Sequence, residues 1–145
     1  MRKKNRNLDN PGKIIIPAGL TNPPKPHEVE AGKILALHFR TTIEFLKTID
    51  DYKRSTADIK MLGVEWEIKS PTGKSKHTIQ EQFKRASKQA KNIIIDTRRT
   101  KLKFENIEKS AQFEFSKRPS IKRVLLIKKP NKLLRNYEIV IEIYK

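Results

Sequence analysis

The stretch Ala57 to Lys69, ADIKMLGVEWEIK, constrains the chain more than any other. Leu62-Gly63 separates two short runs rich in branched and aromatic residues, so it reads as a tight turn joining paired strands. Alternation along the second strand puts Val64, Trp66 and Ile68 on one face and Glu65, Glu67 and Lys69 on the other. Asp58 stands nine residues before Glu67, and pairing of the two strands brings these acids together. Converging carboxylates repel each other unless a cation lies between them. Hard oxygen donors favour Mg²⁺ or Mn²⁺, with Zn²⁺ an allowed substitute. Lys69, on the same face, can steady a developing negative charge or orient a water. The same alternation also describes an ordinary solvated strand face, which stabilises only weakly. The residues beyond Lys69 favour chemistry: a loop, Ser70-Pro71-Thr72-Gly73, and then a basic helix suited to a polyanion.

Charge points the same way. The chain of 145 residues holds 33 Lys plus Arg against 16 Asp plus Glu, a net charge of +17. Such an excess costs self-repulsion and gains attraction for polyanions, nucleic acid first and an anionic membrane second. A merely soluble or ribosome-associated basic protein is the plain alternative. Aromatics are 7% and few fall within the basic stretches, which argues against a stacking platform for single strands. The absence of cysteine excludes disulfides, thiolate zinc sites and cysteine nucleophiles. The basic start MRKKNRN has no apolar core after it, because Pro17 stops Ile14-Ile15-Ile16. The expectation is therefore no signal peptide, no membrane span and action in a cytoplasm, with delivery to another cell left open.

The length suits one modest domain. Residues 1–26, with five prolines, read as a basic extended arm that docks through Ile14 to Ile16 or stays a solubilising tail. Arg2, Lys3, Lys4 and Arg6 offer phosphate contacts there. Residues 27–145 read as a single domain. Pro26-His27-Glu28 opens a helix to about Phe39, with Val29, Ile34, Ala36 and Leu37 as its apolar stripe. Thr41 to Leu46 is a strand with Ile43 and Phe45 or Leu46 inward. Residues 47–56 form a loop leading to Asp58. Thr78 and Glu81 make a capping box for a helix to about Ala90, buried along Ile79, Phe83, Ala86 and Ala90. Lys84, Lys88 and Lys91 form a basic line on it. Like charges at this spacing weaken a helix slightly, so a phosphate track explains them better. Lys74 and Lys76 in the preceding loop can approach a phosphate backbone.

Asn92 to Asp96 is nearly all apolar and suits a central strand, paired in parallel after the crossover. Asp96 reads as a helix cap, and Arg98 and Arg99 as part of a basic patch. Phe104 to Phe115 is a helix on Ile107, Ala111 and Phe115. Arg123 to Lys128 and Tyr137 to Tyr144 are strands, with a turn at Pro130-Asn131. His27 and His38 belong to no metal-ligand pattern and read as surface or structural residues. The order is α-β-β-β-α-β, then α-β-β, an α/β fold of α+β character.

Asp58, followed by Glu67-Ile68-Lys69, resembles the Asp…(Asp/Glu)-x-Lys signature of the PD-(D/E)xK nuclease superfamily, with Ala57 where that name expects proline. The run WEIKSPTGKSKHTIQEQFKRASKQAKNIIID, Trp66 to Asp96, is more specific. It resembles the tRNA-nuclease domain at the C-terminus of contact-dependent growth-inhibition toxins of the CdiA type. The resemblance runs from about His27 to the C-terminus. It implies a restriction-endonuclease-like αβββαβ core, with a mixed central sheet flanked by helices and an added C-terminal helix and β-hairpin. It also implies a metal-dependent endonuclease. Asp58, Glu67 and Lys69 would be catalytic, and Asp58, Glu67 and Glu28 would hold the metal. Gln82, Gln89 or Ser70 would support the active site. Lys74, Lys76, Lys84, Lys88, Arg98 and Arg99 would bind nucleic acid. tRNA is the implied substrate and a cognate immunity protein the implied partner. Three rivals stay open on sequence: a DNA endonuclease using the same residues, RNA cleavage by 2′-hydroxyl attack without metal, and a non-catalytic nucleic-acid-binding protein.

Overall fold

A computed structural model describes residues 12–20, 22–46, 57–88, 90–130 and 139–145. Seven strands form one mixed sheet whose spatial order follows the chain: β1 (Lys13–Ile15), β2 (Thr42–Phe45), β3 (Ile59–Met61), β4 (Val64–Lys69), β5 (Asn92–Asp96), β6 (Arg123–Ile127) and β7 (Val140–Ile143). Three helices pack on it: α1 (Pro26–Phe39), α2 (Thr78–Ala86) and α3 (Phe104–Ser116). β2, β3 and β4 form an antiparallel meander, β4, β5 and β6 run parallel, β1 pairs in parallel with β2, and β7 closes antiparallel on β6. Parallel neighbours need crossover connections, which α2 and α3 supply between β4 and β5 and between β5 and β6. These two helices share a face of the sheet with Ile93, Ile95, Val124 and Leu126. α1 covers the other face, over Ile43, Phe45, Ile59, Trp66, Ile68 and Ile94.

The strand that sequence placed at the centre is there. Ile93, Ile94 and Ile95 are fully buried, each contributing roughly 1.5–3 kcal/mol of transfer free energy. The hairpin turn is also where expected. Leu62 and Gly63 both have positive φ, 55° and 80°, the twist that suits a two-residue link between right-twisted strands. Trp66 is buried with its indole N–H donating to the Met61 carbonyl at 3.2 Å. α2 buries Ile79, Phe83 and Ala86, and α3 buries Ile107, Ala111 and Phe115.

Four local expectations are corrected. α1 buries Ala31, Gly32 and Leu35 beside the expected Ala36, Ile34 packs partly buried against the same core, and Leu37 is exposed. Small residues let the helix sit close: a Cβ at Gly32 would stand 3.0 Å from the Phe45 ring. α2 ends at Ala86, and no side chain among the described residues caps its start. Thr78 is already helical, and its Oγ1 accepts from the Ser75 amide at 3.2 Å. Asp96 caps no helix; it is buried at the end of β5. Lys13–Ile15 add an edge strand to the sheet, while Arg2, Lys3, Lys4, Arg6, residues 47–56, Asn131 and Tyr137 lie outside the described residues.

Candidate active site

Asp58 immediately precedes β3, opposite Glu67 on β4. Its carbonyl accepts from the Leu46 amide at 2.9 Å, and its amide donates to the Trp66 carbonyl at 3.0 Å. Its side chain continues the ladder, with the Ile68 amide donating to Oδ2 at 2.8 Å. The Asp58 carboxyl is thereby fixed against β4. Burial raises its pKa above the ordinary range, and this outweighs the Ile68 hydrogen bond, which lowers it. Asp58 and Glu67 are close enough for the charge of Asp58 to act on Glu67.

Glu67 does not lie on a solvated face. It is in register with Ile93, on the side covered by α2 and α3, and is only 5% exposed. Its Oε2 pairs with Lys69 Nζ at 3.1 Å, and its Oε1 is buried with no hydrogen-bond partner among the described residues. Burial first, and the Asp58 charge second, push its pKa up to about 7, against the pull of Lys69. Glu65, on the same strand, is exposed. The difference arises because β5 and α2 roof the later part of β4 only.

Glu28 lies near enough to raise the pKa of both acids, and it lines a cavity of about 200 Å³ with Asp58, Ile68 and Lys25. Its carboxylate is committed locally, however: Oε1 accepts from the Lys25 amide at 2.8 Å and closes the first turn of α1. Among the described residues, no group of three or more His, Cys, Asp or Glu is placed to hold a metal ion. Glu28 thus closes the first turn of α1 through one carboxylate oxygen while lying beside the Asp58–Glu67 pair.

Arg98 is likewise engaged. Its Nε and Nη2 fork onto Asp96 Oδ1 and Oδ2 at 2.9 and 2.7 Å. Its backbone amide donates to the same carboxylate at 3.1 Å. Nη2 also reaches the His27 carbonyl at 2.8 Å, tying the start of α1 to the end of β5. Instead of standing open for a phosphate, Arg98 acts as a strut. Arg99 is exposed, with Nη1 2.8 Å from His27 Nε2, so His27 is structural. His38 stacks edge-on against Phe39.

Lys74, Lys76, Lys84 and Lys88 are exposed. Lys88 lies beyond the end of α2, so the basic line is only partly helical. Gln82 is half-buried on α2, and Gln89 lies outside the described residues. Ser70, next to Lys69, has a buried hydroxyl without a partner among the described residues. One feature had no local signal in sequence. Thr100 Oγ1 donates to the Gly73 carbonyl, and Lys129 Nζ donates to the Thr100 carbonyl at 3.0 Å. These bonds staple the loop after β4 to the segment after β5.

With a buried acid, a half-buried one and a lysine brought together, likeness to known proteins gains meaning. No helix among the described residues is long and apolar enough to cross a membrane. No curated protein matches the chain. Among solved structures, a CdiA-CT/CdiI toxin and immunity complex from Burkholderia pseudomallei contains a similar chain. The TM-score is 0.54 at 15% identity, covering 92% of this chain and 100% of that one, a likeness of fold. The model of the contact-dependent growth inhibition CdiA C-terminal domain matches residues 54–133, more than half of the chain and the whole of the hairpin, α2, β5, α3 and β6. The chain belongs to the CdiA C-terminal domain family of contact-dependent growth inhibition.

Proposed function

We propose that this chain is a toxin domain that acts as a metal-dependent endonuclease with a PD-(D/E)xK-type core, cutting nucleic acid, with tRNA as the favoured substrate. The observation that carries the reading is the Asp58–Glu67 pair, two converging carboxyls of which one oxygen, Glu67 Oε1, is buried with no donor among the described residues. A strand face serving only solubility would not bury Glu67 beside a second acid, because an unsatisfied acid costs free energy. The net charge of +17 supports a polyanionic substrate.

The donor set fits a hard divalent ion. Asp58 and Glu67 would hold Mg²⁺ or Mn²⁺, ions commonly held by one or two carboxylates while keeping several waters. Zn²⁺ fits less well, since neither donor is nitrogen or sulfur. When bound, such an ion polarises phosphate oxygens and makes an attacking water more acidic. The protein's own groups do the rest. The Ile68 amide fixes the Asp58 carboxylate. Lys69, held beside Glu67, supplies positive charge where the phosphate gains negative charge in the transition state, or orients the water. Lys74, Lys76, Lys84, Lys88 and Arg99 offer charge to the phosphate backbone. The site of action would be the cytoplasm of a recipient cell, and a cognate immunity protein with an acidic face would cover the basic surface.

The test is a digest of total tRNA and of plasmid DNA by purified protein with Mg²⁺, Mn²⁺ or EDTA, for wild type and Glu67→Gln. Cleavage of tRNA abolished by both EDTA and Glu67→Gln is expected. Metal-dependent cleavage of plasmid alone would transfer the site to a DNA endonuclease. Cleavage of RNA that survives EDTA would replace it with 2′-hydroxyl chemistry. Binding without cleavage of either would overturn the enzymatic reading.

A further inference from the structure

A second concavity lies away from the acids, between the loop after β4 and α3. Its volume is about 460 Å³, within the roughly 300–1,000 Å³ typical of small-molecule sites. Its floor is apolar, from Ile79 and Leu102. Three cations line it: Lys74 and Lys76 from the loop and Lys109 from α3. Asn106 and Ser110, each four residues or fewer from Lys109 on α3, add an amide and a hydroxyl. No acidic residue is in this lining. None of the three lysines has an ion-pair partner among the described residues.

Three unneutralised ammonium groups around one cavity repel each other and are stabilised by an anion between them. The apolar floor and the amide call for more than an anion. An aromatic heterocycle with hydrogen-bonding edges satisfies the floor and Asn106 at once, and its attached phosphate satisfies the lysines. A flat acidic protein face would meet the lysines but leave the floor unfilled. The loop wall is already fixed by the Thr100–Gly73 and Thr78–Ser75 hydrogen bonds, so little ordering cost remains for binding. Lys74 stands five residues beyond Lys69, which limits the chain between them to about 18 Å. A substrate strand at the acid pair can therefore reach this cavity within a few nucleotides.

We propose that the cavity lined by Lys74, Lys76 and Lys109 over Ile79 and Leu102 is a nucleotide subsite, taking one unpaired base and its phosphate from the substrate strand. The inference rests on the nuclease reading for its purpose and deepens it. A base that enters the cavity must leave its stack, so the subsite selects single-stranded or flipped nucleotides. Lys109, Asn106 and Ser110 then join the substrate-binding residues.

The test measures binding without metal, on the full chain carrying Glu67→Gln, so that its outcome does not depend on cleavage. A labelled short single-stranded oligoribonucleotide is titrated and followed by fluorescence anisotropy across a salt series. Lys109→Glu is expected to weaken binding about tenfold and to reduce the salt slope by about 1. Ser110→Trp fills the cavity at constant charge and is expected to weaken binding several-fold. Lys122→Glu makes the same charge change at the start of β6, where Lys122 Nζ reaches only the Pro119 carbonyl among the described residues, and should weaken binding less than twofold. Circular dichroism confirms that each variant is folded, and surface-exposed Lys109→Glu keeps the test decisive should the Trp variant fail. Equal weakening by Lys109→Glu and Lys122→Glu would overturn the subsite in favour of bulk charge. So would unchanged oligonucleotide binding by the pocket variants, including the case where they lose only poly-glutamate, which would make the cavity a protein-docking site. Failure of the nuclease reading appears elsewhere, as wild-type protein that cuts nothing.

Discussion

Two carboxylates at neighbouring strand ends have opposite fates. Asp96 closes β5 and is fully buried, and both of its carboxylate oxygens are met: Arg98 offers a backbone amide and a two-pronged guanidinium. Glu67, near the end of the adjacent β4, is almost as deep, yet among the described residues it has one lysine, a repelling Asp58 and a bare Oε1. The first arrangement is what a buried charge needs in order to be structural. The second is incomplete by the same standard, and this is the ground on which Glu67 is proposed as a site residue. The contrast sets a satisfied buried acid against an unsatisfied one without reference to any relative.

The sharpest way to break it is to remove each acid. Asp96→Ala strands the Arg98 guanidinium and loosens the His27 carbonyl that it holds. The expected cost is about 3–5 kcal/mol, read as a fall in the urea midpoint at unchanged slope. If Asp96→Ala is as stable as wild type, the strut has no structural role and the comparison fails.

Glu67→Gln should behave in the opposite sense. The folded-state pKa of Glu67, about 7, lies above its ordinary value of 4.5. The folded chain therefore holds a proton that the unfolded chain has released between these values. Stability from this group is full below about pH 4.5 and declines as pH rises through about 7, by up to about 3 kcal/mol. A glutamine cannot ionise, so this decline should be absent. At pH 8 the variant is expected to be about 1–3 kcal/mol more stable than wild type, less what the lost Lys69 pairing contributes. Urea unfolding at pH 5 and pH 8 checks the sign. A variant that is less stable at pH 8 would make Glu67 a structural acid like Asp96.

How far this contrast could be read in advance depends on the range of the interactions. The Asp58–Glu67 approach was legible because a two-residue turn and strict alternation fix it locally. The burial of Glu67 was not, since its roof comes from α2 and β5, more than ten residues further along the chain. Arg98 and Asp96 are two residues apart, but basic composition around Arg98 read as a phosphate patch. The His27 carbonyl that completes its role is 71 residues away. In the fold, α2 and α3 announced themselves through bulky apolar residues at helical spacing, and β5 through an unbroken apolar run. The span of α1 was legible too, but its buried face was not, because it packs largely through Ala31, Gly32 and Ala36, which hydropathy undervalues. β1 has only three residues, too few to show a period.

Arg98 and Arg99 allow the finest discrimination, because adjacent residues of one type fall on either side of the line between scaffold and surface. Arg98 is anchored to a buried carboxylate and a carbonyl. Arg99 is exposed with an imidazole beside it, a contact worth at most about 1 kcal/mol. Arg99→Ala should therefore leave the urea midpoint nearly unchanged, while reducing the salt slope of RNA binding by about 1. Arg98→Ala should lower the midpoint clearly. It should change the salt slope only as far as α1 loosens, because a guanidinium already forked onto Asp96 has little charge to offer a phosphate. Equal salt slopes for the two variants, with equal stability, would show that the Asp96 pairing does not withdraw Arg98 from the surface. The division between satisfied and waiting charge would then hold for the acids but not for the cations beside them.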